Sequence, residues 1–207
     1  MSERVKIILD KNADILRLPA IALRGLVVFP GNIIHFEVGR KKSIAAIEWA
    51  MSNNNAVFLT AQQDMDVEDP GFKDLYAYGV VAEVKQVLRV SDELVKVLVE
   101  GKYRAKLLTL DSSGRFLLAS TKAAALRGTK SVDSARVEAL VRSVKEAFEE
   151  YLSLNPRLSK DVVYTIITNE DAALLCDYIP ANLLLKYTDK QALLNEGTVS
   201  GRLEKLL

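Results

Sequence analysis

The chain has 207 residues, in which 28 lysines and arginines face 27 aspartates and glutamates, with one histidine and one cysteine. The net charge of +1 lacks the basic excess typical of nucleic-acid binding, and one cysteine cannot form an intrachain disulfide. No apolar run approaches the ~20 residues of a membrane-spanning helix. The composition therefore predicts a cytoplasmic protein of one large or two small domains.

Residues that carry most enzyme chemistry are scarce in this sequence. His35 and Cys176 are the sole members of their types, so a zinc site of histidines and cysteines lacks its ligands. A Gly-x-Ser-x-Gly elbow is absent. The pair Gly101-Lys102 would end a nucleotide-binding phosphate loop only if Lys96 were glycine. We therefore expect no catalytic residue, no metal ligand and no cofactor-binding residue in this chain.

The first part of the chain, residues 1–126, mostly follows the two-residue period of strands. One helix interrupts it at 43–52, where apolar residues recur every three or four positions. Short turn-like connections, including Gly101, predict antiparallel neighbours that close toward a barrel. The predicted strands lie at residues 33–38, 56–61, 79–90, 94–100, 102–110 and 116–122.

The second part, residues 127–207, follows the 3.6-residue period of helices. A first helix of about 20 residues should end before Asn155 and the proline after it. Shorter helices are predicted at 160–168 and from 170 to a break at Pro180. A last one should begin at Thr188, which forms a capping box with Gln191. No glycine, asparagine or proline ends this last helix, so we expect the natural chain to continue.

An ordered series of short motifs resembles the start of the Lon ATP-dependent proteases. The series runs from about residue 17 to the end of the chain, and it is more specific than any single motif within it. The motifs include, in chain order, Pro19, Leu23-Arg24-Gly25-Leu26-Val27-Val28-Phe29-Pro30-Gly31, Val38-Gly39-Arg40, Ser43-Ile44-Ala45-Ala46-Ile47-Glu48, Phe58-Leu59, Lys96-Val97-Leu98-Val99-Glu100-Gly101, Lys190-Gln191, Leu193-Leu194 and Arg202-Leu203.

The resemblance implies an α+β fold, with a β-rich, PUA-like pseudo-barrel subdomain containing one helix and then an all-α helical subdomain. It also implies a non-catalytic role in recognising unfolded or tagged polypeptides and in assembling a homo-hexamer. ATP, magnesium and a Ser-Lys protease dyad would belong to other modules of the parent protein. Neither a membrane nor a nucleic acid is an implied partner. His35 departs from many relatives, which carry an apolar residue or proline there.

Exposed apolar residues on the strands are candidates for binding an unfolded polypeptide, which differs from a native protein by its exposed apolar side chains and unpaired backbone. Leu98 lies between two charged residues on the strand face that should contact water. We expect it to form a shallow apolar patch with three other residues. The complete predicted site is Ile33, His35, Val87 and Leu98. In the alternative interpretation, the helix or a crossing strand covers these residues.

Two other functions remain open at this point. A free-standing relative of the same fold would bind RNA or a small ligand, and the basic run Arg40-Lys41-Lys42 is a candidate phosphate-binding patch for it. An independent enzyme is the third possibility, which the scarcity of catalytic motifs disfavours.

Overall fold

The computed structural model describes residues 15–128, 134–155 and 157–207. The chain divides into two compact units, the first ending at Ala124 and the second beginning at Ala125. The boundary expected from the sequence lies two residues further along the chain. Within the described residues, every helix is too short or too polar to serve as a transmembrane span.

The first unit contains a mixed sheet of six strands in its described part, with one α-helix, α1 (Lys41–Met51). The strands follow the order β2-β5-β4-β3-β1-β6, and β6 also pairs with β5. Five strands therefore close into a barrel, and β2 lies at an edge, which confirms the expected pseudo-barrel. The strand bounds are β1 Leu16–Leu23, β2 Ile33–Val38, β3 Ala56–Ala61, β4 Tyr78–Arg89, β5 Val95–Asp111 and β6 Leu117–Ala123.

Strand β5 replaces two predicted strands, so the turn expected at Gly101 is wrong. A Cβ atom at this position would lie 2.2 Å from the carbonyl oxygen of Phe29. Glycine is thus needed because another backbone segment passes close by, and the strand continues through it. Its first part, Val95–Glu100, pairs with β2, whereas Ala105–Asp111 pairs with β6.

The interior of the barrel is filled by apolar side chains from every strand that closes it. Phe58 is completely buried, and the alternation of each strand directs similar residues to the same interior. The buried cluster comprises Leu18, Ala20, Ala22, Ala56, Phe58, Leu75, Val81, Tyr103, Ala105, Leu107, Leu117 and Ala119.

The second unit contains five helices in its described part, and four of them contribute to one buried apolar cluster. Val141, Val144 and Phe148 recur at helical spacing on the longest helix, and all three are buried. These findings confirm the expected helical subdomain. The helices are α2 Ser134–Leu154, α3 Lys160–Thr168, α4 Ala172–Asn182, α5 Tyr187–Asn195 and α6 Val199–Leu206.

Two predicted helix boundaries are wrong in this unit. Pro180 lies inside α4, which continues to Asn182, and the proline is buried in the core. The missing amide removes one helical hydrogen bond, and burial of the apolar ring offsets this loss. Thr188 lies inside α5, whose N-cap is Lys186. The threonine cap belongs instead to α6, where the Thr198 hydroxyl accepts a hydrogen bond from the amide of Gly201 at 3.2 Å.

Candidate functional site

Three of the four predicted site residues share one face of the β2-β5-β4 part of the sheet. His35 lies opposite Leu98, and Leu98 lies opposite Gln86 on the other neighbouring strand. Opposed residues in antiparallel strands project to the same side, so Ile33 projects with His35 and Leu98. Ile33 is 64% exposed, His35 is exposed and Leu98 is half-buried. We call this side of the sheet the outer face.

Val87 lies on the opposite face, which corrects the arrangement expected from strand alternation. The pairing of β4 with β5 shifts between Val84 and Gln86, so Lys85 is an additional residue in a β-bulge. Every side chain after a bulge changes face. Val87 therefore pairs with Val97, which is completely buried.

Leu88 takes the place expected for Val87 on the outer face. It lies opposite Lys96, two residues from Leu98 along β5, and it is 57% exposed. Neither glycine nor proline marks the bulge in the sequence, so periodicity alone assigns the wrong residue. The apolar patch on the outer face consists of Ile33, Leu88 and Leu98, with His35 directly opposite Leu98; we call these four residues the outer patch.

Paired charges border the outer patch at one end. Lys85 and Lys102 each contact Glu83 and Glu100, at distances of 2.7–2.9 Å. Hydrogen bonds from Lys102 and Lys85 lower the pKa of Glu100, and those from Lys85 and Lys102 lower the pKa of Glu83. All four groups are therefore charged at neutral pH, and their charges cancel.

A groove of about 680 Å³ lies beside the end of β2 and the start of α1. Its walls combine apolar side chains with charged ones of both signs. The residues that line it are Ile21, Ala22, Leu23, Arg24, Leu26, Phe36, Glu37, Val38, Gly39, Arg40, Lys41, Lys42, Ser43, Glu68 and Asp69.

The basic run beside this groove is partly engaged in structural contacts. Arg40 donates through Nη1 to the carbonyl of Ala22 and through Nη2 to that of Val67, both at 3.1 Å. Burial, followed by the nearby charge of Arg24, lowers the pKa of Arg40. Lys42 pairs with Asp69 at 2.9 Å. Two of the three cations proposed for phosphate binding therefore already have partners within the protein.

The cysteine does not provide a ready nucleophile. Cys176 is completely buried in the helical unit, and burial raises its pKa to about 12. The thiol is therefore protonated at neutral pH. Over residues 15–128, 134–155 and 157–207, no group of three or more histidine, cysteine, aspartate or glutamate side chains could hold a metal ion.

Residues 17–207 match the family model described as the ATP-dependent protease La (LON) substrate-binding domain. The chain is 38% identical over 195 residues to a Lon protease of Desulforamulus reducens, covering 94% of this chain and 24% of that protein. It is 36% identical over 197 residues to a Lon protease of Escherichia coli K12, covering 95% and 25%. The chain thus spans about a quarter of the length of these relatives.

Two solved structures share the fold. The N-terminal domain of a Mycobacterium avium complex Lon protease superposes with a TM-score of 0.74 at 21% identity, covering 92% of this chain and 96% of that one. A Lon N-terminal domain protein from Xanthomonas campestris gives a TM-score of 0.63 at 14% identity, with the same coverage of both chains.

Proposed function

Because this chain belongs to the ATP-dependent protease La (LON) substrate-binding domain family, we propose that it is a non-catalytic module that recognises polypeptide substrates for an ATP-dependent protease. The family match over residues 17–207 is the observation that carries this proposal. The outer patch supports it with exposed apolar side chains on a sheet whose interior is already filled.

The remaining steps of the function belong to the parent protein in this proposal. The relatives are Lon proteases several times longer than this chain. In such a parent, ATP and magnesium would bind outside these 207 residues. A serine protease site, also outside them, would cleave the substrate. The parent would assemble as a homo-hexamer in the cytoplasm. Its substrates would be unfolded or tagged polypeptides.

The outer patch suits an unfolded segment rather than a phosphate. Ile33 and Leu98 offer apolar contact, and the adjacent lysines are already paired with glutamates. An apolar contact between a substrate side chain and Ile33 or Leu98 depends little on the salt concentration. Contacts with phosphates, by contrast, weaken steeply as the salt concentration rises. Binding that is insensitive to salt is therefore expected for this function, and a steep salt dependence would favour the RNA-binding alternative.

A charge placed in the outer patch tests the proposal. We expect Leu98→Glu to weaken binding of the 207-residue chain to unfolded casein at least fivefold, because a carboxylate would replace an apolar contact. The Tm should change by no more than a few degrees, since Leu98 is half-buried beside charged neighbours. Fluorescence anisotropy with labelled casein measures the first quantity and differential scanning calorimetry the second.

Thr109→Glu is the matched control, because it adds the same charge at an exposed position on the same strand. It should leave casein binding unchanged. If Leu98→Glu and Thr109→Glu bind casein equally well, the outer patch is not the binding site. If the unsubstituted chain does not bind unfolded casein at all, the proposed function itself is wrong.

A further inference from the structure

Strand β2 has one unpaired edge. It lies at the end of the strand order, and in the described part of the chain it pairs with β5 alone. Each strand has two hydrogen-bonding edges, so the second edge of β2 presents backbone groups without a strand partner. Such an edge can accept a further strand from another polypeptide.

The hydrogen bonds at the start of β2 show which of its residues face this edge. The amide of Gly31 donates to the carbonyl of Gly101 at 2.8 Å, and the amide of Gly101 donates to that of Asn32 at 2.9 Å. Asn32 is therefore hydrogen-bonded to β5, and the antiparallel pattern alternates from there. The amide and carbonyl groups of Ile33, His35 and Glu37 consequently point away from β5.

The groove beside β2 lies along the same free side. Phe36 and Val38 contribute to its wall, whereas no residue of β5 does. A strand added at the edge would direct every second side chain to the side of Phe36, and thus toward this groove. The groove volume of about 680 Å³ accommodates several such side chains.

Cations outnumber carboxylates by one in the lining of the groove, which contains Arg24, Arg40, Lys41 and Lys42 together with Glu37, Glu68 and Asp69. The carbonyl of Val67 accepts hydrogen bonds from both Arg40, at 3.1 Å, and Arg24, at 3.5 Å. The Nε atom of Arg40 is buried and has no hydrogen-bond partner among the described residues. The two guanidinium groups thus share the Val67 carbonyl, and Arg40 also donates to the carbonyl of Ala22. These acceptors are neutral, so an acidic side chain in a bound segment would provide a stronger, charged hydrogen-bond partner.

We propose that β2 captures an extended substrate segment by strand addition at its free edge, with alternate apolar side chains in the adjacent groove and an acidic side chain near Arg24 and Arg40. The inference rests on the proposed function, since it names how a polypeptide would be held. The amides and carbonyls of three alternate residues point outward, and a peptide backbone has donors and acceptors at the same spacing. Neither a nucleic acid nor a small ligand provides that regular row of hydrogen-bonding groups.

The pair His35→Pro and His35→Ala separates the backbone from the side chain. Proline removes the outward amide of residue 35 but leaves the β2–β5 hydrogen bonds in place, as edge strands allow. Alanine keeps the amide. The probe is a fluorescein-labelled ten-residue peptide of alternating valine and serine with one glutamate near its end, titrated against the 207-residue chain. Both variants lack the imidazole, so they differ in the backbone amide: His35→Pro should bind at least tenfold more weakly than His35→Ala.

Peptides methylated on backbone nitrogens provide a test that needs no protein variant. N-methylation of every second residue on the pairing edge should abolish binding, whereas N-methylation of the alternate residues should leave it measurable, because only one set faces β2. Equal effects of the two methylation patterns would overturn strand addition, and this holds even if His35→Pro fails to fold.

Two further results separate this inference from the proposed function. If His35→Pro folds and binds the peptide as tightly as His35→Ala, strand addition is wrong. If the peptide does not bind although unfolded casein does, the edge is not the site, while the proposed function stands. Loss of casein binding in Leu98→Glu alone, with peptide binding intact in that variant, would place the substrate on the outer patch and not on the edge.

Discussion

At the scale of single residues, two glycines of the barrel allow another backbone to pass close by. A Cβ atom at Gly101 would lie 2.2 Å from the Phe29 carbonyl oxygen, and one at Gly79 would lie 2.2 Å from that of Leu59. Both obstacles are main-chain atoms, which cannot rotate away as a side chain does. Glycine is thus required by tertiary packing at these positions rather than by a turn.

Replacing Gly101 should therefore destabilise the protein strongly. We expect Gly101→Ala to lower the free energy of unfolding by about 3 kcal/mol or more, because the added methyl group overlaps a backbone carbonyl. Gly114→Ala is the control, since the carbonyl oxygen of Phe116 would lie 3.7 Å from its Cβ atom, an ordinary van der Waals contact. Urea denaturation followed by circular dichroism gives both values. Equal stabilities of the two variants would contradict this explanation.

The paired charges near the outer patch predict a dependence of stability on pH. Hydrogen bonds from Lys102 and Lys85 place the pKa of Glu100 below its ordinary value of 4.5. A lowered folded-state pKa stabilises the protein above pH 4.5, and this contribution is lost as the pH falls through the folded-state value. The contribution is small because these side chains are 27–37% exposed, so solvent screens their charges.

Accordingly, Glu100→Gln should lower the Tm by no more than about 2 °C at pH 7. The difference from the unsubstituted chain should shrink as the pH falls below 4.5, because the carboxylate is then protonated first in the unfolded state and, at lower pH, in the folded state. It should also shrink in about 1 M salt, which screens exposed charges. A difference that grows as the pH falls would have the wrong sign for this mechanism. Calorimetry across the pH range measures it.

At the scale of elements, the buried side chain of Arg202 joins three helices of the second unit. It is 1% exposed and forms an ion pair with Asp177 on α4. Its Nε atom donates to the carbonyl of Glu196 at 2.9 Å, just after α5. The guanidinium lies on α6 itself, so its charge is buried where helices α4, α5 and α6 meet.

Removing the carboxylate should leave that guanidinium without its counter-charge. Asp177→Ala is expected to reduce the free energy of unfolding by about 3 kcal/mol. Glu204→Ala removes the carboxylate of the exposed Arg136–Glu204 pair, which also involves α6, and should cost less than about 1 kcal/mol. Chemical denaturation of both variants compares the two costs. Similar losses would show that burial of Arg202 does not determine the strength of its ion pair.

At the scale of the whole molecule, the chain forms two compact units, and each contains a buried apolar cluster of its own. In the barrel, Leu18 and Phe58 are completely buried; in the helical unit, so are Ile166 and Leu175. A core built from residues of one segment can be stable without the other segment.

We therefore expect a fragment of residues 1–124 to fold without residues 125–207. Its far-ultraviolet circular dichroism should show a β-rich protein, and its thermal unfolding should be cooperative. Phe148→Ala in the 207-residue chain is the complementary change. It removes a buried side chain of α2 and should lower the free energy of unfolding of the helical unit by about 3–5 kcal/mol. A fragment that remains unfolded under native conditions would show that the first unit depends on the second.

The sequence predicts the elements well where local periodicity determines them. The predicted bounds of β2 and of the 160–168 helix agree with the structure, and the switch from a two-residue to a 3.6-residue period separates the strands from the helices. The motif series also identifies the family before any coordinate is considered. A strand or helix buries one apolar face when apolar residues recur at its own period, and this spacing is a local property of the sequence. Strands and helices can therefore be inferred from the sequence.

Only the tertiary structure determines the contacts between distant segments. Gly101 resembles a turn in the sequence, yet the close approach of Phe29 explains it. The unmarked bulge at Lys85 moves Val87 to the inner side and Leu88 to the outer patch, because one additional residue reverses all later side chains. The free edge of β2 likewise follows from strand order. Composition, periodicity and family can thus be inferred from the sequence. Pairing between strands that are distant in the sequence determines which residues are exposed on the sheet.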